Sequence, residues 1–333
     1  DSRSYSKNKN LRSLISHENV TYKVYEPSSL LFVHHIQNTL HDKILTIDQK
    51  YGLIGGRNVT DRFLIDNDVN VLDRDVLIFS KEKECETVLQ MNDYYEELFT
   101  SKYAKLYKRK NRVKYQETRD EMKEKYFEQR LNGYDFISAI ETATKVERAT
   151  FVRSPLNRMQ KEPIMFNVVN QLMENSDNII IQSPYITKSR LMKKYFPYDE
   201  TKNITFITNN MQTNPNIPSL SGYIRIRKKL ATLYNVYEIQ TTDSIHAKTI
   251  TIGDNISIIG SLNIDHRSMF LSTESSVVIY SEEFQEVLNV QLNELIEQSL
   301  LVNEDGTYEE NNNFKKAVVR FTSWISWFFN EML

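Results

Sequence analysis

One short pattern occurs twice in this chain, and this repeat limits its fold more than any other feature. The first copy runs from His41 through ILTID and YGLIGGRN to Asn58, and the second from His246 through TITIGD and ISIIGSLN to Asn263. A match to this spacing is expected by chance at roughly a few in a million start positions. Four positions recur at a constant offset of 205 residues: His41 and His246, Lys43 and Lys248, Gly55 and Gly260, Asn58 and Asn263. The repeat indicates internal duplication.

Glycine is scarce and concentrated in the two copies. Only 8 of the 333 residues are glycine, and five of these belong to the repeat: Gly52, Gly55, Gly56, Gly253 and Gly260. Neither G-x-x-x-x-G-K nor G-x-G-x-x-G occurs, which argues against a nucleotide-binding loop. We expect the glycines of the repeat to lie where a side chain would crowd a bound phosphate.

The overall composition is that of a soluble or peripheral globular protein. The formal charge of −2 gives no global field that would attract nucleic acid, and no apolar run reaches the roughly 18 residues of a membrane span. Cys85 is the single cysteine, which excludes internal disulfides and cysteine-based zinc clusters.

The repeated strings resemble the paired HKD motifs of the phospholipase D superfamily. The longer forms GGRNVTDRF and GSLNIDHRS are similar to those of bacterial cardiolipin synthases, and SPYIT at 183–187 and ITFITNN at 204–210 extend the similarity. The resemblance implies a duplicated α/β fold of the phospholipase D type. Its two α/β half-domains would be related by a pseudo-twofold, with the active site at their interface and with no metal or cofactor.

The motif residues suit phosphoryl transfer. Residues i and i+2 of a strand point to the same face, so each His-x-Lys would place an imidazole beside an ammonium group. The resemblance implies a phosphohistidine intermediate, with one histidine as nucleophile and the other as acid and base. It assigns His41 as the nucleophile and His246 as the acid/base. The charge that accumulates on the phosphate would be stabilised by Lys43, Lys248, Asn58 and Asn263.

Acidic and small residues are expected to support the motifs. The superfamily pattern places an acid at Asp48, but Gly253 stands at the equivalent position of the second copy and Asp254 follows one residue late. Because that acid is usually structural, we expect activity to survive; a slipped register that disables the second half is the alternative. Asp73 and Glu274 are expected to orient the histidine rings.

Several nearby residues leave two interpretations open. Gly56 and Ser261 are equivalent small residues, and Ser261 would either donate to phosphate or simply be small enough for the turn. Arg57 and Arg267 would hold phosphate or pair with neighbouring acids. Tyr185 would line the site or pack in the core.

Apolar periodicity predicts the order of elements in the second half. We expect helices near 163–174 and 221–232 and strands at 178–183, 203–208 and 235–240. The predicted division is a first half at 1–81, a charged helical connector without strands at 82–150, a second half at 151–300 and a tail at 301–333. The first half is shorter before its histidine, which suggests that about 45 residues or more of an early β-α-β are missing from this chain. If they are physically absent, its sheet has an unpaired edge.

Two segments suggest contact with anionic or membrane surfaces. One is an acid-free stretch with Tyr103 and Tyr107 among its cations Lys102, Lys105, Lys108, Arg109, Lys110, Arg112 and Lys114. It suits anionic headgroups or is a solvated helix face. The other is the tail, whose predicted membrane contacts are Trp324, Trp327 and Phe328, since tryptophan prefers the interface; a docked terminal helix is the alternative.

The sequence therefore predicts a phosphatidyltransferase, most specifically a cardiolipin synthase. Its expected partners are phospholipids, with phosphatidylglycerol as substrate, and a membrane surface, without nucleic acid. The expected location is peripheral on the bacterial cytoplasmic membrane. Phospholipase D hydrolysis and phosphodiesterase or nuclease activity are the alternatives, and a non-catalytic membrane-binding relative is a third.

Overall fold

A computed structural model describes most of the chain. The described ranges are 8–26, 38–64, 71–81, 84–107, 115–130, 136–157, 160–195, 201–214 and 216–306. The predicted membrane contacts Trp324, Trp327 and Phe328 lie outside these ranges. So do five cations of the acid-free stretch: Lys108, Arg109, Lys110, Arg112 and Lys114.

The described residues form helices and strands in an alternating α/β order. The helices are α1 (Lys9–Leu14), α2 (Asp61–Leu64), α3 (Glu86–Thr100), α4 (Gln116–Arg130), α5 (Phe136–Glu141), α6 (Ile164–Met173), α7 (Ile217–Leu233), α8 (His266–Phe270) and α9 (Glu282–Glu297). The strands are β1 (Lys23–Tyr25), β2 (Ile44–Ile47), β3 (Tyr51–Gly55), β4 (Val71–Leu72), β5 (Asp75–Phe79), β6 (Ala104–Leu106), β7 (Arg148–Arg153), β8 (Asn178–Gln182), β9 (Asn203–Asn209), β10 (Asn235–Ile239), β11 (Ser244–Ile245), β12 (Thr249–Ile252), β13 (Ile256–Gly260), β14 (Ser275–Tyr280) and β15 (Ser299–Leu301). None of the helices described here is long and apolar enough to cross a bilayer.

The chain divides into two compact units that differ from the predicted segments. The smaller unit contains residues 1–36 and 94–144, and the larger contains 37–93 and 145–333. Both copies of the repeat therefore belong to the larger unit, and the start of the chain groups with the predicted connector. Within the smaller unit, β1 pairs antiparallel with β6, with Lys23 opposite Leu106.

The prediction that residues 82–150 lack strands is wrong. That segment contains β6 and the start of β7, and β7 pairs along its whole length with β14. Strand β6 is recognisable only through its partner, because its three residues are too few to show a period of two.

An eight-stranded sheet organises the larger unit. Its order is β15-β10-β9-β8-β12-β13-β14-β7, with β8, β9 and β10 parallel and β12, β13 and β14 antiparallel. Side chains alternate between its faces. Ile204 and Phe206 of β9 pack in the cluster that contains α6 and α7, whereas Ile207 packs with Leu288 and Leu292 of α9. The sheet is thus buried on both faces.

The first copy of the repeat forms a smaller sheet, β2-β3-β5. Its hairpin has the same register as that of the second copy: Ile47 pairs with Tyr51 in one, and Ile252 with Ile256 in the other. Both turns use the left-handed region, with φ of 51° at Asp48 and 58° at Gly253. The slipped register considered for the second copy does not occur, because Gly253 makes the same turn. Among the described strands, β2 pairs with β3 alone.

The two repeats share one core. Ile54 and Ile78 of the small sheet pack with Val277 and Ile279 of β14 in a single buried cluster. Arg74 also links the repeats, because its Nη1 donates to Gln182 Oε1 at 2.6 Å and to Thr249 Oγ1 at 2.5 Å. Burial lowers the pKa of Arg74 to about 10.

Candidate active site

The two motif histidines lie just before their strands rather than within them. His41 and Lys43 precede β2, and His246 and Lys248 precede β12. Each lysine still reaches its own histidine: Lys43 Nζ donates to the carbonyl of His41, and Lys248 Nζ lies 2.9 Å from His246 Nδ1. The predicted neighbourhood of imidazole and ammonium is therefore present, although an extended segment supplies it.

Backbone hydrogen bonds cross between the repeats at each histidine. The amide of His41 donates to the carbonyl of Thr273 at 3.1 Å, and the amide of His246 donates to that of Leu72 at 2.8 Å. Thr273 and Leu72 are the residues immediately before the two expected acids. Each repeat thereby fixes the start of the other repeat's acid-bearing segment.

The histidine–acid pairs are exchanged between the repeats. His41 Nδ1 lies 2.8 Å from Glu274 Oε2, and His246 Nδ1 lies 2.7 Å from Asp73 Oδ2. Both carboxylate side chains are fully buried, whereas the side chain of His41 is 26% exposed. The sequence placed both acids correctly, but neither repeat contains a complete pair by itself.

Ser261 holds Glu274 in place. Its hydroxyl donates to Glu274 Oε2, and the hydroxyl of Ser268 donates to Oε1 at 2.7 Å. Neither interpretation of Ser261 fits this geometry. Its hydroxyl donates to the Glu274 carboxylate instead of to a phosphate, so the residue does more than leave space in the turn.

The repeat's paired glycines make room for protein atoms rather than for phosphate. A Cβ at Gly56 would lie 2.3 Å from Asp73 Oδ1, and one at Gly55 would lie 2.4 Å from the carbonyl of Arg74. Gly260 is restricted in the same way by the carbonyl of Ser275, at 2.2 Å. The expected reason for these glycines is therefore corrected: the neighbouring acid-bearing segment approaches too closely for any side chain.

Burial and mutual repulsion set the charges of the site. Burial and the two lysines lower the pKa of both histidines, that of His246 to about 4. Burial likewise lowers the pKa of Lys248 to about 7 and raises that of Glu274 to about 7. Each lysine acts on both rings, so the charged groups of the two copies converge on one site.

Asp73 behaves differently from Glu274. Burial alone would raise its pKa, but the hydrogen bond from His246 and the charge of Lys248 outweigh this effect and lower it. The two pairs are therefore chemically unequal: Asp73 is held ionised beside His246, whereas the carboxyl of Glu274 gains its proton more readily beside His41.

A pocket of about 530 Å³ opens on the His246 side. Asn58 lines it together with His246, so the first copy contributes to the second copy's pocket. Tyr185 also lines it, with its ring centroid 6.4 Å from that of His246, which decides its open role. Asn263 is buried nearby and donates to Ser268 Oγ at 3.4 Å.

Some residues that line this pocket were not predicted from the sequence. Phe63 lies edge-on to His246 at 4.9 Å between centroids, and Arg62 and the start of α7 at 216–218 complete the lining. Phe63 stands in the string GGRNVTDRF, which was the available signal. For the start of α7 the available local signals were the cap residue Asn216 and Pro218 in the first turn.

The remaining predicted residues are placed as follows. Asp48 is exposed at the far turn of its hairpin and is not part of the site. Arg57 pairs with Asp75, Nε to Oδ2 at 2.6 Å. Arg267 donates to Thr39 Oγ1 at 3.0 Å and contributes to the lowered pKa of His41. Pairing with an acid is thus confirmed for Arg57, whereas Arg267 adds positive charge to the site.

Comparison with known proteins identifies this arrangement. Residues 168–296 match the family model described as cardiolipin synthase, PLD-like domain. This part of the chain is therefore similar to the phospholipase D-like domain of that family. The crystal structure of a phosphatidylserine synthase from Haemophilus influenzae Rd KW20 has the same fold, with a TM-score of 0.63 at 16% identity over 88% of this chain and 71% of that one. The predicted phospholipase D-like α/β fold is confirmed.

The sequence relatives of this chain are distant. Cardiolipin synthase C of Escherichia coli is 33% identical over 104 residues, which cover 26% of this chain and 22% of that protein. An uncharacterized protein of Helicobacter pylori is 26% identical over 324 residues, 85% of this chain. The chain spans 64% of the length of that Helicobacter relative.

Proposed function

We propose that this protein transfers a phosphatidyl group between phospholipids and acts as a cardiolipin synthase. The observation that carries the proposal is the pair of crossed histidine–carboxylate contacts, each beside a lysine that acts on both rings. Two imidazoles held in this way supply a nucleophile and an acid/base for one phosphodiester. The match of residues 168–296 to the cardiolipin synthase family model supports a lipid substrate.

In the proposed reaction, His41 Nε2 attacks the phosphorus of the first phospholipid. The bond from phosphorus to the departing alcohol oxygen breaks, and that oxygen takes a proton from His246. The acceptor hydroxyl then gives its proton to His246, its oxygen attacks phosphorus, and the phosphorus–nitrogen bond to His41 breaks. Because each Nδ1 contacts a carboxylate, each Nε2 is the nitrogen that we propose to react, and Lys248 Nζ lies 3.2 Å from that of His246.

Substrate binding would supply the required proton. Without an anion, the positive charge of Lys248 and Lys43 helps to keep His246 neutral near pH 7. A bound phosphodiester places a negative charge beside the same ring, and an opposite charge within a few ångströms raises the pKa of an imidazole. The acid form of His246 would therefore appear when substrate is present.

Phosphatidylglycerol is the proposed substrate, both as donor and as acceptor. Action at the surface of the bacterial cytoplasmic membrane follows as part of the same proposal, and contact through Trp324, Trp327 and Phe328 stays a prediction. Nucleic acid is not a proposed partner.

The decisive experiment presents phosphatidylglycerol vesicles to the protein in the presence of a chelator. We expect cardiolipin and glycerol as products, identified by mass spectrometry. His41→Ala and His246→Ala are each expected to reduce turnover by at least 10³-fold, since the general acid/base step alone contributes roughly 10²–10⁴-fold. His17→Ala is the matched control, because His17 is exposed in the smaller unit.

Other products would redirect the proposal. Phosphatidic acid without cardiolipin would identify phospholipase D hydrolysis, in which water replaces the lipid hydroxyl. Cleavage of DNA without any lipid product would identify a nuclease. If a folded protein gave no lipid product and did not cleave DNA, this would indicate a non-catalytic lipid-binding role.

A further inference from the structure

A second pocket, separate from the active-site pocket, is lined mainly by cations. Its volume is about 420 Å³. We call it the basic pocket, and its lining residues are Lys188, Ser189, Arg190, Lys193, Arg225, Ile226 and Lys229. Five of these seven side chains are cationic and, within the described part of the chain, none is acidic.

Three segments bring these charges together. Arg225 and Lys229 are four residues apart on α7 and so share one face of the helix, where like charges repel. Lys193 lies in the short 3₁₀ turn Met192–Lys194, and Lys188 in the segment after β8. Burial, followed by the charges of Lys229 and Lys193, lowers the pKa of Lys188 to about 8. The fold maintains a concentration of like charge that a bound anion would stabilise.

The basic pocket and the active-site pocket are both lined by α7 and by the segment that follows β8. Pro218 of α7 lines the active-site pocket and Arg225 lines the basic pocket, and seven helical residues correspond to about 10 Å. Between them α7 packs tightly: a Cβ at Gly222 would lie 2.9 Å from Thr187 Cγ2. The two pockets therefore adjoin the same helix about two turns apart.

We propose that the basic pocket binds the phosphate of an anionic ester, carried either by a phospholipid headgroup of the membrane or by a soluble phosphate ester. Its charges converge on a concave volume rather than forming an extended stripe, which suits a compact anion. No aromatic side chain is among the described lining residues, so a base would have nothing to stack on. This binding goes beyond the proposed reaction, because it requires no turnover.

The test compares two double variants that remove equal charge. Arg225→Gln with Lys229→Gln alters the basic pocket, and Lys123→Gln with Lys125→Gln removes two exposed cations from α4 in the smaller unit. Binding is measured by co-sedimentation with vesicles of phosphatidylglycerol and phosphatidylcholine, and with vesicles of phosphatidylcholine alone. We expect the pocket variant to bind the anionic vesicles about 30-fold more weakly, from the usual contribution of each cation near such a surface. The control variant should bind like the unaltered protein.

A soluble arm distinguishes the source of the phosphate. Glycerol 3-phosphate is titrated calorimetrically into each protein; a site lost only in the pocket variant would identify a soluble ester, whereas a loss confined to anionic vesicles identifies the lipid. Lys193→Gln with Lys229→Gln replaces the first variant if that one fails to fold. Equal behaviour of pocket and control variants in both arms overturns the proposal. The proposal is also overturned if binding to single-stranded DNA is measured and the pocket variant loses only that affinity.

Because the measured quantity is binding and not product, failure here leaves the proposed transferase activity untouched. Conversely, the pocket can bind phosphate in a protein that makes no cardiolipin.

Discussion

At the scale of single residues, the two halves of the site use different contacts to position the acid beside each histidine. In one half, the shorter acid Asp73 lies against Gly56. In the other half, the longer Glu274 accepts a hydrogen bond from the Ser261 hydroxyl. Each small residue is matched to the acid beside it. The acid in turn holds the histidine of the opposite repeat, so a change at the turn acts on the chemistry through the carboxylate.

Gly56→Ala tests this dependence. The new Cβ would lie 2.3 Å from Asp73 Oδ1 and would displace the carboxylate from His246. We expect kcat to fall at least tenfold, with overpacking that costs about 1–3 kcal/mol of folding free energy. The measurements are initial rates on the vesicle substrate and chemical unfolding.

Gly52→Ala is the matched control, within strand β3, which ends one residue before Gly56. Its Cβ would meet Met91 Sδ at 2.9 Å, the end of a flexible side chain that can move away. We expect a small loss of stability and nearly normal turnover. An equal loss of activity in both variants would show that general strain in β3, and not Asp73, is responsible.

The residues of the site could be predicted from the sequence, but not which acid contacts which histidine. The repeat identified His41, Lys43, His246 and Lys248, because constant spacing reveals which positions are equivalent. It could not reveal that the acids are exchanged, since spacing along the chain does not say which repeat faces which. The purpose of Gly56 was missed for the same reason: the atoms that exclude a side chain come from a segment 17 residues away.

At the scale of elements, the motif hairpins show why the second copy tolerates glycine in place of the usual acid. In the first copy Asp48 and Gln49 both have positive φ, and the amide of Lys50 closes the turn on the carbonyl of Ile47 at 3.0 Å. In the second copy Gly253 adopts the same conformation without steric cost. The acid is exposed at the end of the strand opposite to the histidine and does not act on the site.

Exchange of these turn residues should separate stability from activity. Asp48→Gly relieves a left-handed non-glycine residue and Gly253→Asp creates one, and such a conformation costs about 1–2 kcal/mol for most L-residues. We expect Gly253→Asp to lower the free energy of unfolding by about 1 kcal/mol, and Asp48→Gly to leave it equal or higher. Turnover by either variant should stay within twofold. Strong inactivation by Asp48→Gly would instead give the motif acid a part in the reaction.

The main elements of the second half could be predicted well, because long apolar alternation is a local signal. The strands at 178–182 and 235–239 lie where periodicity placed them. Helix α7 begins four residues earlier than predicted, at Ile217, because Asn216 caps it by accepting from the amide of Ser219. The strand β6 was missed because it exists only through its pairing with β1.

At the scale of the whole molecule, the active site is a group of ionisable side chains buried between two repeats. Histidines, lysines and carboxyls are kept together there by exchanged contacts, and burial is the largest influence on the pKa of both histidines. Folding therefore changes proton binding. Wherever the unfolded chain binds more protons than the folded one, stability falls as the pH falls.

His246 makes this effect measurable. Its pKa is 6.5 for a free side chain and about 4 in the folded protein. Between these values the unfolded state holds a proton that the folded state lacks, so the stability that neutral His246 provides is present above pH 6.5 and is lost as the pH falls towards 4. The loss amounts to about 3 kcal/mol over this window, at about 1.4 kcal/mol per pKa unit.

Unfolding by urea at pH 4.5, 5.5 and 6.5 tests this, with His246→Asn against the unaltered protein. The variant should lose less stability on acidification, because position 246 no longer titrates. His41 acts in the same direction and Glu274 in the opposite one, but both remain in the variant, so the difference between the two curves reports His246 together with its effect on Asp73. His17→Asn, an exposed change in the smaller unit, should leave the slope unaltered. Parallel curves for His246→Asn and the unaltered protein would mean that this ring is not kept neutral by burial between the repeats.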